Sequence, residues 1–169
     1  MQSEWLDETE ARAWVGYRRM KSLLDLQVAR DLTADSGLSD ADYHVLSTLG
    51  ETDGHDWRLR ALAERLLWST SRLAHHLTRM EQRALVSREQ HPGDPRGASI
   101  TLSREGRRAV ETAAPLHVDS VRKHFIDLLT REQLETLSEI TDVVLTHLRA
   151  VQGAAGGAAP DAGVRPTTD

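Results

Sequence analysis

The sequence predicts a mainly α-helical fold in which a helix–turn–helix is followed by one β-hairpin and flanked by longer helices. Three observations predict it. Apolar residues recur at the 3/4 spacing of helical stripes along most of the chain. Two short helical runs, 59–67 and 69–83, stand with almost nothing between them. One stretch, VSREQHPGDPRGASITLSREG at 86–106, breaks the helical pattern: two strand-like runs flank a His-Pro-Gly-Asp-Pro-Arg-Gly turn.

The elements follow in order. From Glu8 to about Leu32, Trp14, Tyr17, Met20, Leu24 and Val28 form one stripe. Gly37 punctuates, and Ser39 is a good N-cap for a second helix to about Leu49, with Val45, Leu46 and Leu49 inward. Thr52-Asp53-Gly54-His55-Asp56 is a turn cluster. After the hairpin, Ser103 caps a helix running to about Leu129, in which Pro115 predicts a kink because it removes a backbone donor. Thr130 opens the last helix, striped by Leu134, Leu137, Ile140, Val144 and Leu148. From Gln152 the Gly/Ala-rich chain reads as a disordered tail.

The 169 residues suit one domain, or one domain with a dimerisation extension. With 39% apolar and 4% aromatic residues the core is thin, so further burial in an oligomer is expected. The absence of cysteine excludes disulfides, thiolate metal sites and thiol redox switches. No apolar run is long enough to span a bilayer, and the acidic start MQSEWLDETE is unlike a secretory signal, so a cytoplasmic protein is expected.

Charge is uneven. Residues 1–57 hold 5 Lys+Arg against 12 Asp+Glu, a net −7; residues 58–108 hold 11 against 5, a net +6; residues 109–169 hold 5 against 9, a net −4. A basic centre between acidic ends attracts a polyanion locally, although the whole chain carries −5.

That centre contains RALAERLLWSTSRLAHHLTRMEQRALV. Leu62, Ala63, Leu66 and Trp68 are the inner residues of the first helix and turn, and Ser69 caps the second. The second helix sets Leu73, Leu77 and Met80 on one side, and Arg72, His75, His76, Arg79 and Arg83 on the other. A cationic helix of this kind fits the major groove, where Arg72 and Arg79 can reach guanine and His75 and His76 bases or phosphates. Ser69, Thr70 and Ser71 can meet phosphate at the helix N-terminus. A solvated amphipathic helix would show the same stripe, and it is the hairpin that favours DNA.

At this point the sequence resembles the MarR family of winged helix–turn–helix transcriptional regulators, well over residues 38–106 and in pattern only beyond. The resemblance rests on LSDADYHVL (38–46), LAERL (62–66), the S-x-S-x-L of Ser69 to Leu73, EQRALVSR (81–88), the D-x-R of Asp94-Pro95-Arg96 and LSREG (102–106). It implies a winged helix–turn–helix lobe at 38–102 with a two-stranded wing. Dimerisation helices would occupy 1–37 and 103–151, with the tail from 152. It also implies that Arg96 at the wing tip enters a minor groove, with Asp94 holding it aimed and Arg88 at the base placed for a phosphate. Three positions depart from the family pattern: Leu67 and Ala84 replace common glycines, and Asp42 replaces a common glutamine. If the position of Ala84 needs φ > 0, alanine there costs on the order of 1 kcal/mol.

Relatives of this kind are two-fold dimers with recognition helices about one helical turn apart on a pseudo-palindrome. The chain is therefore expected to be a homodimer on double-stranded DNA, and a repressor relieved by a small aromatic or anionic effector. Trp14, Tyr17, His44 and His117 are the candidates for lining the effector's cleft. No catalytic residue, metal ligand or cofactor is expected: HExxH, GxSxG, GxGxxG and P-loop motifs are missing, and adjacent His75 and His76 point about 100° apart. A metal-responsive regulator and a dimeric interaction module that does not bind DNA are the alternatives.

Overall fold

The structure, a computed structural model, describes residues 5–51, 57–91 and 94–156, with side chains for 5–51, 57–89 and 98–152. The turn cluster at 52–56, the hairpin tip at 92–93, the tail from 157 and the side chains of Asp94 and Arg96 lie outside the described residues. Two compact units result, Met1–Phe125 and Ile126–Asp169.

In the first unit, α1 (Glu8–Ser36) starts from an Asp7/Glu10 capping box and ends where Gly37 turns left-handed, φ 70°. Helix α2 (Asp40–Glu51) follows Ser39, which caps it reciprocally with Asp42: each backbone N–H meets the other's side chain, at 3.0 and 3.1 Å. A short strand β1 (Trp57–Arg58) leads into α3 (Leu59–Arg65) and α4 (Thr70–Gln82), the helix–turn–helix. Strands β2 (Val86–His91) and β3 (Asp94–Leu102) form the hairpin, and α5 (Arg104–His124) returns along α1.

The two-stranded β2–β3 hairpin belongs to a three-stranded sheet, in the order β1-β3-β2 and antiparallel throughout. Trp57 pairs with Ile100 and is buried, so β1 both covers an edge of β3 and adds an aromatic to the core. A two-residue strand beside a turn cluster has no alternation to reveal it in sequence.

The core lies where α2, α3, α4 and the wing meet. Val45, Leu46, Leu62, Leu73, Leu77, Met80 and Ile100 are fully buried there. Both helices of the helix–turn–helix end in Schellman turns. Trp68 N–H reaches Ala63 O and Leu85 N–H reaches Met80 O, both at 2.9 Å. Each turn needs one left-handed residue, and these are Leu67 (φ 56°) and Ala84 (φ 54°). The two replaced glycines therefore stand where glycine costs least.

Helix α5 runs unbroken through Pro115 and stops at His124, five residues before the sequence suggests. In the second unit a 3₁₀ turn (Ile126–Leu128) precedes α6 (Arg131–Gly156), which continues past the expected start of the tail at 152 because alanine tolerates helix well. Among the described residues no helix is long and apolar enough to cross a membrane.

Candidate nucleic-acid interface

Ser69 caps α4, its hydroxyl accepting the Arg72 N–H at 3.2 Å. Leu73, Leu77 and Met80 fill the core from the inner face. At about 100° per residue, His75 is turned about 160° from Leu73, and Ser71, Thr78 and Gln82 share that outward side. All four are exposed. Thr78 and Gln82 carry no charge, so the cationic stripe of the sequence does not mark them.

His76 corrects the outward stripe. It lies about 60° from Leu73 on the helix, on the margin of the apolar face, and is 7% exposed. Its Nε2 is 3.2 Å from Asp42 Oδ1, its Nδ1 3.1 Å from Arg79 Nη2, and its ring meets Trp68 edge-on at 5.6 Å. It faces the protein, not solvent. Its three-residue spacing from Leu73 and four-residue spacing to Met80 are the sequence signals of that placement.

Asp42 is the partner that sequence reading passed over as a mere departure from pattern. It is 2% exposed, and Arg83 Nη1 donates to its Oδ2 at 2.7 Å. Burial alone would raise its carboxyl, but hydrogen bonds from Arg83 and Ser39 outweigh this and hold it below the usual aspartate range. Burial holds His76 below the usual histidine range; Asp42 opposes this, and Arg79, Arg72 and Arg83 reinforce it.

The exposed cations of α4 are Arg72 and Arg79 in its body and Arg83 at its end. Arg72 lies over the Trp68 ring, 4.0 Å from its centroid, which limits where its guanidinium can travel. Ser69, Thr70 and Ser71 are exposed around the helix start.

Arg88 is not placed as a free phosphate ligand. Half-buried, it donates to Ala74 O at 3.0 Å, approaches Thr78 Oγ1 at 3.4 Å and pairs with Glu81 at 3.2 Å. Those contacts tie the base of the hairpin to α4, because Arg88 leaves β2 on the side facing the helix. Backbone places Asp94 and Arg96 at the start of β3, and Ser87 and Thr101 bridge the strands at 2.8 Å.

A cleft of about 470 Å³ opens between α1, α2, α5 and the start of α4. Lys21, Asp40, His44, Arg72 and His117 bring polar groups to it, and Trp68 and Val28 apolar ones. His117 packs tilted against Tyr43, ring centroids 4.5 Å apart, and its buried Nδ1 has no hydrogen-bond partner among the described residues. Burial lowers its basicity, with Asp40 opposing and His44 adding to the effect. The cleft therefore unites His44 and His117 but not Trp14 and Tyr17. Those two stack on each other along the exposed half of α1, 6.1 Å apart. Their stripe is real, but a stripe does not say which neighbour covers it. Among the described residues, no group of three or more His, Asp or Glu is placed to hold a metal ion.

A model of the MarR family matches residues 38–97. The transcriptional regulator HosA of Escherichia coli O111:H- is 29% identical over 124 residues, 73% of this chain and 90% of that one. The crystal structure of AbsC, a MarR family transcriptional regulator from Streptomyces coelicolor, is 40% identical with a TM-score of 0.81, covering 88% of this chain and 99% of that one. Sco3205, a MarR family transcriptional regulator from the same organism in complex with DNA, is 35% identical with a TM-score of 0.79, covering 85% and 94%.

Proposed function

The chain belongs to the MarR family of DNA-binding transcriptional regulators, and we propose that it is a dimeric repressor of nearby genes whose hold on DNA is relieved by a small-molecule effector. Helix α4 enters the major groove through Ser71, Arg72, His75 and Arg79, and Arg96 on the wing enters the adjacent minor groove. The observation that carries this reading is the exposed face of α4. It is cationic and hydroxyl-bearing, it opens on a capped N-terminus, and it lies beside a hairpin whose base is pinned to the same helix. That a 35% identical relative is known in complex with DNA supports it.

Dimerisation is supported by α1, where Trp14, Val15, Tyr17, Met20, Leu23 and Leu26 are exposed. In α6, Ile140, Val143, Val144 and Leu148 are exposed as well. So much apolar surface on two helices suits a second copy of the chain better than water. The cleft supports an effector: its volume suits a small ligand, and it sets the polar groups of Arg72, His44 and Asp40 beside apolar Val28 and Trp68, while Lys21 is held by Asp25.

The test is binding to a short A·T-flanked pseudo-palindrome at two salt concentrations. A steep slope, about −0.9 per phosphate contact, with affinity weakened in Arg96→Ala while most of the slope remains, supports the reading. A flat salt response would instead favour an interaction module. Sedimentation of Leu23→Asp, expected to be monomeric, tests the dimer. A thermal shift with small aromatic carboxylates, absent in His117→Ala, tests the cleft.

A further inference from the structure

We propose that His76 is a positioning residue that aims Arg79 at DNA, and that Asp42 fixes the imidazole tautomer that makes this possible. The inference rests on the reading of Arg79 as a DNA contact, and deepens it.

A guanidinium only donates hydrogen bonds. Arg79 Nη2 lies 3.1 Å from His76 Nδ1, so Nδ1 must be the unprotonated, accepting nitrogen. The ring proton then sits on Nε2, which has no aligned hydrogen-bond partner among the described residues and faces the Asp42 carboxylate 3.2 Å away. That negative charge favours a proton on Nε2 over Nδ1. Asp42 is itself held, by Arg83 at 2.7 Å and by the Ser39 N–H at 3.0 Å, so the relay starts from a fixed carboxylate on α2. Trp68 meets the ring edge-on and restricts its rotation. The groups facing the ring are therefore Asp42 from α2 and Arg72, Arg79 and Arg83 on or ending α4.

The arrangement does something a buried leucine at this position would not. An exposed arginine with many rotamers loses entropy when it docks on a base, and a hydrogen bond made beforehand removes part of that loss. The neutral ring supplies that bond. Protonation would place a second N–H at Nδ1, opposite the Arg79 N–H, and the contact would turn repulsive. Since burial keeps the ring neutral through the neutral pH range, Arg79 is held near pH 7 and released in acid.

The experiment uses the full chain and a duplex of about 30 bp, long enough for two half-sites one turn apart, selected by the wild-type chain from a random pool. Affinity is measured between about pH 7.5 and pH 5.5, the range in which a histidine titrates. Arg79→Ala is expected to weaken binding about tenfold, and His76→Leu about fivefold in the wild-type background but hardly at all beside Arg79→Ala. His76→Gln, whose amide oxygen can accept from Arg79 while its NH₂ faces Asp42, should bind within about twofold of wild type and lack the acid loss attributable to His76. Nitrogen chemical shifts of the wild-type imidazole should report the Nε2–H tautomer.

Equal weakening by His76→Leu with and without Arg79 would overturn the proposal, as would an Nδ1–H tautomer, while leaving the DNA contact standing. Arg79→Ala binding like wild type would overturn the contact itself and the proposal with it.

Discussion

Gly106 packs so closely on Leu85 that a Cβ added to it would stand 2.9 Å from the Leu85 carbonyl carbon and nearer still to its oxygen. Around this contact, the Ser103 N–H donates to Leu85 O, and the Ser103 hydroxyl donates to Ala84 O while capping α5. The first turn of α5 thus grips the turn that ends α4. Since the obstacle is backbone, it cannot swing aside, and Gly106→Ala should destabilise the chain by about 3 kcal/mol, the upper end of overpacking penalties. Thermal unfolding measures this; a midpoint unchanged within a degree or so would mean that the two backbones separate freely.

Leu67 and Ala84 invite the opposite substitution. Both sit at φ near +55°, and Leu67 is 81% exposed, so glycine there forfeits little packing. Left-handed strain of about 1–2 kcal/mol is relieved, and about 0.5–1 kcal/mol is returned because glycine enlarges the unfolded ensemble. Leu67→Gly and Ala84→Gly should each stabilise the chain by about 0.5–1 kcal/mol and add when combined, as denaturant midpoints would show.

Acid should weaken the helix–turn–helix. Asp42 has a lowered pKa in the fold, so its contribution is present above the ordinary aspartate value of about 3.9 and is lost as pH falls through the folded value. His76 is also lowered, so folding favours its neutral form. That contribution is complete above about pH 6.5 and declines as pH drops below it, because the unfolded chain then binds the proton first. Both act in the same direction. The melting temperature should fall as pH is taken below about 6.5, and less steeply in His76→Gln. Equal slopes in the two proteins would mean that His76 titrates alike in the folded and unfolded chain.

Much of this architecture was legible because its signals are local. Ser39, Ser69 and Ser103 cap the helices that follow them, and Leu73, Leu77 and Met80 fall on the buried face by spacing alone. The left-handed position of Ala84 was marked by the glycine it replaces. What was not legible depends on distant partners. Asp42 and Arg83 lie 41 residues apart, and nothing near Asp42 in sequence marks it as the carboxylate that meets His76. Strand β1 exists only because β3 lies beside Trp57. Arg88 and Arg72 look alike in a list of cations, and only the fold separates one that holds structure from one that is exposed.

That separation is measurable through salt. Arg88 is committed to Ala74 O and Glu81, so Arg88→Ala should loosen the wing from α4 and lower stability by about 1.5 kcal/mol, the lower end for a hydrogen bond made by a charged group. It should weaken DNA binding without changing the salt slope, because no phosphate contact is lost. Arg72, exposed at the helix start, is the counterpart. If it meets a phosphate, Arg72→Ala should leave stability within about 1 kcal/mol, the scale of an exposed cation–π contact, and flatten the slope of log K against log salt by about 1.8, one contact from each protomer of the dimer. If it reads a base instead, the slope will hold while discrimination at one base pair relaxes by about 1–3 kcal/mol. A flattened slope for Arg88→Ala would mean that its guanidinium leaves α4 when DNA arrives, and that the contact seen in the free protein is a resting position.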